Sequence, residues 1–139
     1  MAFKMNEINK KTGLFIFLIL LASYTLCLLV CFPGVGMNDG LNIMYYGVSK
    51  INQYPAIYCL YVLALMKIGL HFGTLQVTII IYSIIQMIVC AMLGAGIVYW
   101  VFKKKVPAWV KWLSLIFFAA APIVPIYAIA PVKDSVFSL

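Results

Sequence analysis

Residues 74–105 read TLQVTIIIYSIIQMIVCAMLGAGIVYWVFKKK. From Thr74 to Phe102 there are 29 residues without a charge, and three lysines follow in a row. A helix needs about 20 mostly apolar residues to cross a bilayer. This stretch is long enough with some to spare, and Lys103, Lys104 and Lys105 mark where it leaves the hydrocarbon. It decides the class: an all-α integral membrane protein.

The remainder agrees. The chain has 139 residues, 66% hydrophobic and 9% charged, with mean hydropathy +1.11. A soluble domain is about half apolar and about a quarter charged. A first apolar run covers Gly13–Phe32 and ends at Pro33-Gly34. A last one covers Trp112–Val132 and is broken by Pro122, Pro125 and Pro131. Between the first and second long runs, residues 33–72 are mixed. Leu41–Tyr46 suits a short interfacial helix. Pro55–Leu70 suits a helix with Pro55 in its first turn, but Lys67 leaves it marginal for a crossing. The expectation is about three full transmembrane helices plus external juxtamembrane or re-entrant helices over 33–72. Residues 1–139 form a single membrane module. Phe137-Ser138-Leu139 looks like a helix just begun, so we expect an N-terminal fragment of a larger polytopic protein.

Ten lysines against three acidic residues give +7. No basic face with interleaved aromatics occurs, so the excess reads as topology and lipid contact, with no nucleic-acid partner. Lys4, Lys10 and Lys11 put the N-terminus on the cytoplasmic side of the plasma membrane in a multi-pass arrangement. The charge-free stretch behind them is too long for a signal peptide core and lacks a small-residue cleavage site. If 55–70 does not cross, Lys103, Lys104, Lys105 and Lys111 are cytoplasmic too. The 33–54 region and the end of the chain are then external. Tyr45, Tyr46, Tyr54, Tyr58 and Tyr61 suit an aromatic belt.

Small residues Ala91, Gly94, Ala95 and Gly96 allow close helix approach, and Gln76 and Gln86 can hydrogen-bond neighbouring helices. Cys27, Cys31, Cys59 and Cys90 read as packing residues, not as a disulfide or zinc framework. His71, beside Gly69 and Gly73, reads as a loop or capping residue.

Two of the three acidic residues sit where apolar runs stop: Asp39 in Phe32–Gly40, and Asp134 in Ala130–Ser135. A carboxylate at a membrane surface can act as a general base or hold a divalent cation. An adjacent lysine, here Lys133, can neutralise a lipid-linked phosphate. Plainer roles exist for the same residues. Asn38-Asp39-Gly40 is a common turn sequence, and Asp134 after Pro131 can cap a following helix.

These features resemble the N-terminal part of the GT-C membrane glycosyltransferases, which include protein mannosyltransferases and aminoarabinose transferases. Pro33-Gly34 followed by Asp39 is similar to the opening of their first external loop. Tyr54-Pro55 followed by Ile57-Tyr58 is similar to the start of their juxtamembrane helix, where the family has His or Pro before the Pro. Ala121-Pro122 through Tyr127 to Lys133-Asp134 is similar to a Pro-rich span in Gram-positive members. The chain departs from the family in having Gly40, not Ser, after Asp39.

The resemblance implies transfer of a sugar from a polyprenyl-phosphate-linked donor at the external face. Asp39 would be the catalytic carboxylate. Lys133, Asp134 and Tyr54 would bind substrate or donor phosphate. Asp39 and Asp134 would be the ligands of a divalent metal ion, and the partners would be the bilayer and the lipid-linked donor. The competing expectation is a small non-enzymatic polytopic membrane protein, an accessory subunit or transporter fragment, with the prolines as helix kinks.

Overall fold

The computed structural model describes residues 2–35, 38–46 and 54–130, with side chains from residue 11 onward except at 38–40. It contains six helices among the described residues: α1 (Ala2–Val30), α2 (Asn38–Tyr46), α3 (Ala56–His71), α4 (Leu75–Lys103), α5 (Ala108–Ala120) and α6 (Ile123–Ile129). Two stretches are long and apolar enough to cross a membrane, Lys11–Val30 and Leu75–Lys103. The α5–α6 pair passes the same test jointly, across a 48° bend.

α4 is the central post, packed against α1, α3, α5 and α6. α1 runs along it, antiparallel and in register. A Cβ at Gly13 would touch the Tyr99 ring, and one at Gly94 would touch Leu20 and the Tyr24 hydroxyl. The Thr25 hydroxyl meets the Met87 sulfur at 3.8 Å. Thirteen residues of α1 (13 to 25) therefore match thirteen of α4 (99 to 87). Ile16, Leu20 and Tyr24 bury themselves in this seam with Met87, Ala91, Ala95 and Val98, closed by Leu115, Ala128 and Ile129.

α3 lies differently on α4. The Tyr61 and Tyr82 rings are 5.4 Å apart, while Gly69 abuts Thr78 so closely that a Cβ would overlap the Thr78 Cα at 2.6 Å. Eight steps along α3 (61 to 69) cover only four along α4 (82 to 78). At 1.5 Å per residue that is about 12 Å against about 6 Å, so α3 runs obliquely across the start of α4. A second core holds it there, made of Ile43 and Met44 from α2, Tyr58, Cys59, Val62 and Leu65 from α3, and Tyr82.

Outward faces are apolar. Leu14, Phe15, Leu18, Leu26 and Leu29 on α1 are exposed, as are Ile84, Ile85, Ile88, Met92 and Ile97 on α4. Contiguous apolar surface on several helices is what a chain presents to lipid. At one end, Lys103 stacks on Tyr99 and Lys104 on Trp100, at 4.7 and 4.5 Å from the ring centroids. Trp112 meets Phe102 edge to face at 5.9 Å. Exposed Trp100, Trp109 and Trp112 beside lysines give this end the character of a headgroup belt.

Some local expectations change. Asn38-Asp39-Gly40 is not an isolated turn: its backbone forms the first turn of α2. The driver is tertiary, since Ile43 and Met44 further along α2 are buried against α3. Tyr45 and Tyr46 are exposed as a belt requires, but Tyr58 is fully buried in packing. Ala91, Gly94 and Ala95 do face neighbours, whereas Gly96 has nothing within 4 Å of its Cβ direction. Gln86 bonds a neighbouring helix, while Gln76 is exposed. His71 ends α3, with its ring edge to face on Phe72.

Candidate functional site

Proline chemistry builds the site. Each proline withholds the N–H that a carbonyl four residues earlier would have accepted. In hydrocarbon, water cannot replace that donor. Pro125 leaves the Ala121 carbonyl free, and the Val124 N–H takes it at 3.0 Å, one residue short of the α-helical pattern. Near the α5–α6 break, the Ala119 carbonyl accepts from the Ser23 hydroxyl of α1.

The end of α6 is satisfied from α4. Pro131 offers the Tyr127 carbonyl no N–H, and the Gln86 side-chain amide donates to it at 2.9 Å. The same Nε2 donates to the Ala130 carbonyl at 2.7 Å. The Ser83 hydroxyl donates to the Ile129 carbonyl at 2.8 Å. One turn of α4 thus caps the last turn of α6 with side chains. Ser83 is fully buried and Gln86 nearly so. Thr78 Oγ1 and Gln86 Oε1 are buried without a hydrogen-bond partner among the described residues.

The chain leaving α1 arrives at the same place. After the turn at Cys31–Pro33, Gly34 takes φ +144°, and a Cβ there would stand 2.6 Å from Ser83 Oγ and 3.0 Å from Ile79 Cγ2. Glycine is required twice over, for the backbone angle and for the close approach. Ser83 is therefore the meeting point of the two chain segments that lead to Asp39 and to Lys133-Asp134.

Of the expected site residues, Tyr54 is described most fully. It is half-buried ahead of α3, its hydroxyl accepts from the Asn42 side-chain amide at 3.5 Å, and its ring lies 6.4 Å from that of Tyr58. It ties α2 to α3. Burial pushes the nearby Tyr61 phenol above its ordinary pKa. Asp39 has its backbone in α2, and its side chain lies outside the described residues. Lys133 and Asp134 lie outside them altogether. Among the described residues no group of three or more His, Cys, Asp or Glu could hold a metal.

Sequence reasoning missed Ser83 and Gly34. The signal was present: three prolines in one apolar run announce free carbonyls, and Ser83 and Gln86 are polar residues on a neighbouring span with donors to offer.

No curated protein and no solved structure matches the chain. A family model matches residues 50–139, which include Gly69, Ser83, Gln86 and all of the proline-broken run, while α1 and Asp39 precede the matched region. By that match, the chain belongs to DUF6020, a family of unknown function.

Proposed function

We propose that this chain is the membrane-embedded N-terminal region of a glycosyltransferase, one that takes a sugar from a polyprenyl-phosphate-linked donor at the external membrane face. One observation carries the reading: the chain leaves both α1 and α6 at Ser83. Asp39 is five residues beyond Gly34, and Asp134 is four beyond Ala130. Those lengths reach at most about 18 and about 14 Å. The lysine end of α4, at Lys103, lies about 30 Å from Ser83 along the helix. Neither length reaches the lysine end, which supports a reading with both carboxylates on the Ser83 side.

The same distance, about 30 Å, is the thickness of a hydrocarbon core. With the lysines inside, α1, α4 and the bent α5–α6 pair are three crossings. α2, α3 and the first two turns of α4 then lie at the outer interface. The oblique course of α3 and the start of exposed apolar side chains on α4 at Ile84 both fit that level.

In this arrangement Asp39 is the general base or acceptor-orienting carboxylate. Asp134 is a second acid that binds the acceptor, and Lys133 neutralises donor phosphate as a point charge. Tyr54, on the same side, belongs to the donor-binding set. Any divalent cation would be held by the Asp39 and Asp134 carboxylates, which are hard oxygen ligands. The rival, a non-enzymatic membrane protein, has no use for a shared face.

The test is Asp39→Asn in a complete protein carrying this region. Transfer to acceptor should be abolished while membrane insertion is unchanged. Wild-type transfer by that variant would sink the catalytic role.

A further inference from the structure

A groove of about 440 Å³ opens on the lipid-facing side of the seam between α1 and α4, towards the lysine end. Its walls are Gly13, Leu14 and Phe17 on α1, and Met92, Gly96 and Tyr99 on α4. The groove exists because Gly13 and Gly96 present no side chain, and no neighbour fills the space above Gly96. From 92 to 99 it runs about 10 Å along the helix axis, parallel to lipid tails.

Two cations stand at its mouth. Lys103 Nζ lies 4.7 Å from the centroid of the Tyr99 ring, which is itself a wall. Lys11 is exposed and precedes the wall residue Leu14 by three positions, so the two share a helix face. Among the described side chains no carboxylate lies near Lys103, and Glu7, whose side chain lies outside the described residues, stands one helical turn before Lys11. An apolar slot at a lysine-rich helix end suits a molecule with an apolar tail and an anionic head.

We propose that this groove binds an anionic phospholipid from the leaflet on the lysine side. One acyl chain lies over Gly96, and the phosphate sits between Lys11 and Lys103. Lys105, also exposed at this end, is outside the groove and takes no part beyond general attraction.

The experiment is native mass spectrometry of the full chain released from detergent, with phosphatidylglycerol or phosphatidylcholine of identical chains added. Phosphatidylglycerol should be retained preferentially. Lys11→Gln and Lys103→Gln should each weaken its retention about fivefold, the scale of one lysine at an anionic surface. Lys105→Gln should change it less than about twofold. Gly96→Leu fills the slot without altering charge and should reduce retention of both lipids. Equal retention of the two lipids would overturn the proposal. So would equal losses from all three lysine variants with none from Gly96→Leu, which would mean a diffuse basic belt. A dimer that Gly96→Leu abolishes would overturn it too, by giving the groove to a second copy of the chain. The lysine variants are on the surface, so the test stands even if Gly96→Leu fails to fold.

Discussion

α1 and α3 both pack on α4, one along it and one across it. Along α1, residue follows residue in register from Gly13 at Tyr99 to Thr25 at Met87. The nine residues of α3 from Tyr61 to Gly69 span only Thr78 to Tyr82 on α4. Composition does not explain the difference, since both helices are apolar. Length contributes, because α3 has 16 residues against 29 in α1. The decisive feature is where close approach is allowed. α1 meets small residues over a long stretch of α4, whereas α3 has one point of near-backbone contact, Gly69 on Thr78. The lesson is that two apolar helices need not pack alike on the same neighbour.

Substitutions can break either side of this comparison. The largest effect is expected from Gly94→Leu. A Cβ there already stands 3.3 Å from Leu20 and 3.4 Å from Phe118, so further carbons must force α1 and α5 away. We expect a loss of about 3 kcal/mol, the upper part of the overpacking range, read as a lower thermal midpoint in detergent. Gly96→Leu, two residues on and facing open space, should cost less than about 0.5 kcal/mol. Equal effects would mean that α1 does not sit on this face.

Next comes Gln86→Leu. It leaves the Tyr127 and Ala130 carbonyls without their donor. A buried unsatisfied group costs about 1–3 kcal/mol, but hydrogen bonds between membrane helices average about 0.6 kcal/mol. For two bonds we expect about 2 kcal/mol, with α6 becoming accessible to hydrogen exchange before α1 does. No change would mean that α6 is capped otherwise.

The most local effect is expected from Gly69→Ala, at about 1–3 kcal/mol. Its Cβ would overlap Thr78, backbone included, so α3 must lift away from α4. Proteolysis near α3 should then quicken while the α1–α4 bundle keeps its midpoint. A bundle that melts together with α3 would show that α3 is part of the spanning core after all.

Much of the fold was legible in the residues. α4 announced itself by an uncharged stretch with lysines at its end, and the α5–α6 break by Pro122. What stayed hidden were pairings between elements distant in sequence. Pro131 says that the Tyr127 carbonyl lacks a helical donor, but nothing local says that Gln86 supplies one. Gly34 reads as a span terminator, and its fit against Ser83 needs both helices in place. Asn38-Asp39-Gly40 reads as a turn because the burial of Ile43 and Met44, which favours helix there, depends on α3. Of the candidate site, Tyr54 ahead of a Pro-led helix was legible, and the common exit point at Ser83 was not.

The central claim is that Asp39 and Asp134 share one face of the membrane, opposite the lysines of α4 and α5. The direct measurement replaces Cys27, Cys31, Cys59 and Cys90 with serine or alanine, then adds one cysteine at a time as Asp39→Cys, Asp134→Cys or Lys104→Cys. Intact cells are treated with a membrane-impermeant maleimide. The account predicts labelling at positions 39 and 134, and labelling at 104 only after the cells are opened. Labelling of 39 and 134 from opposite sides would contradict it.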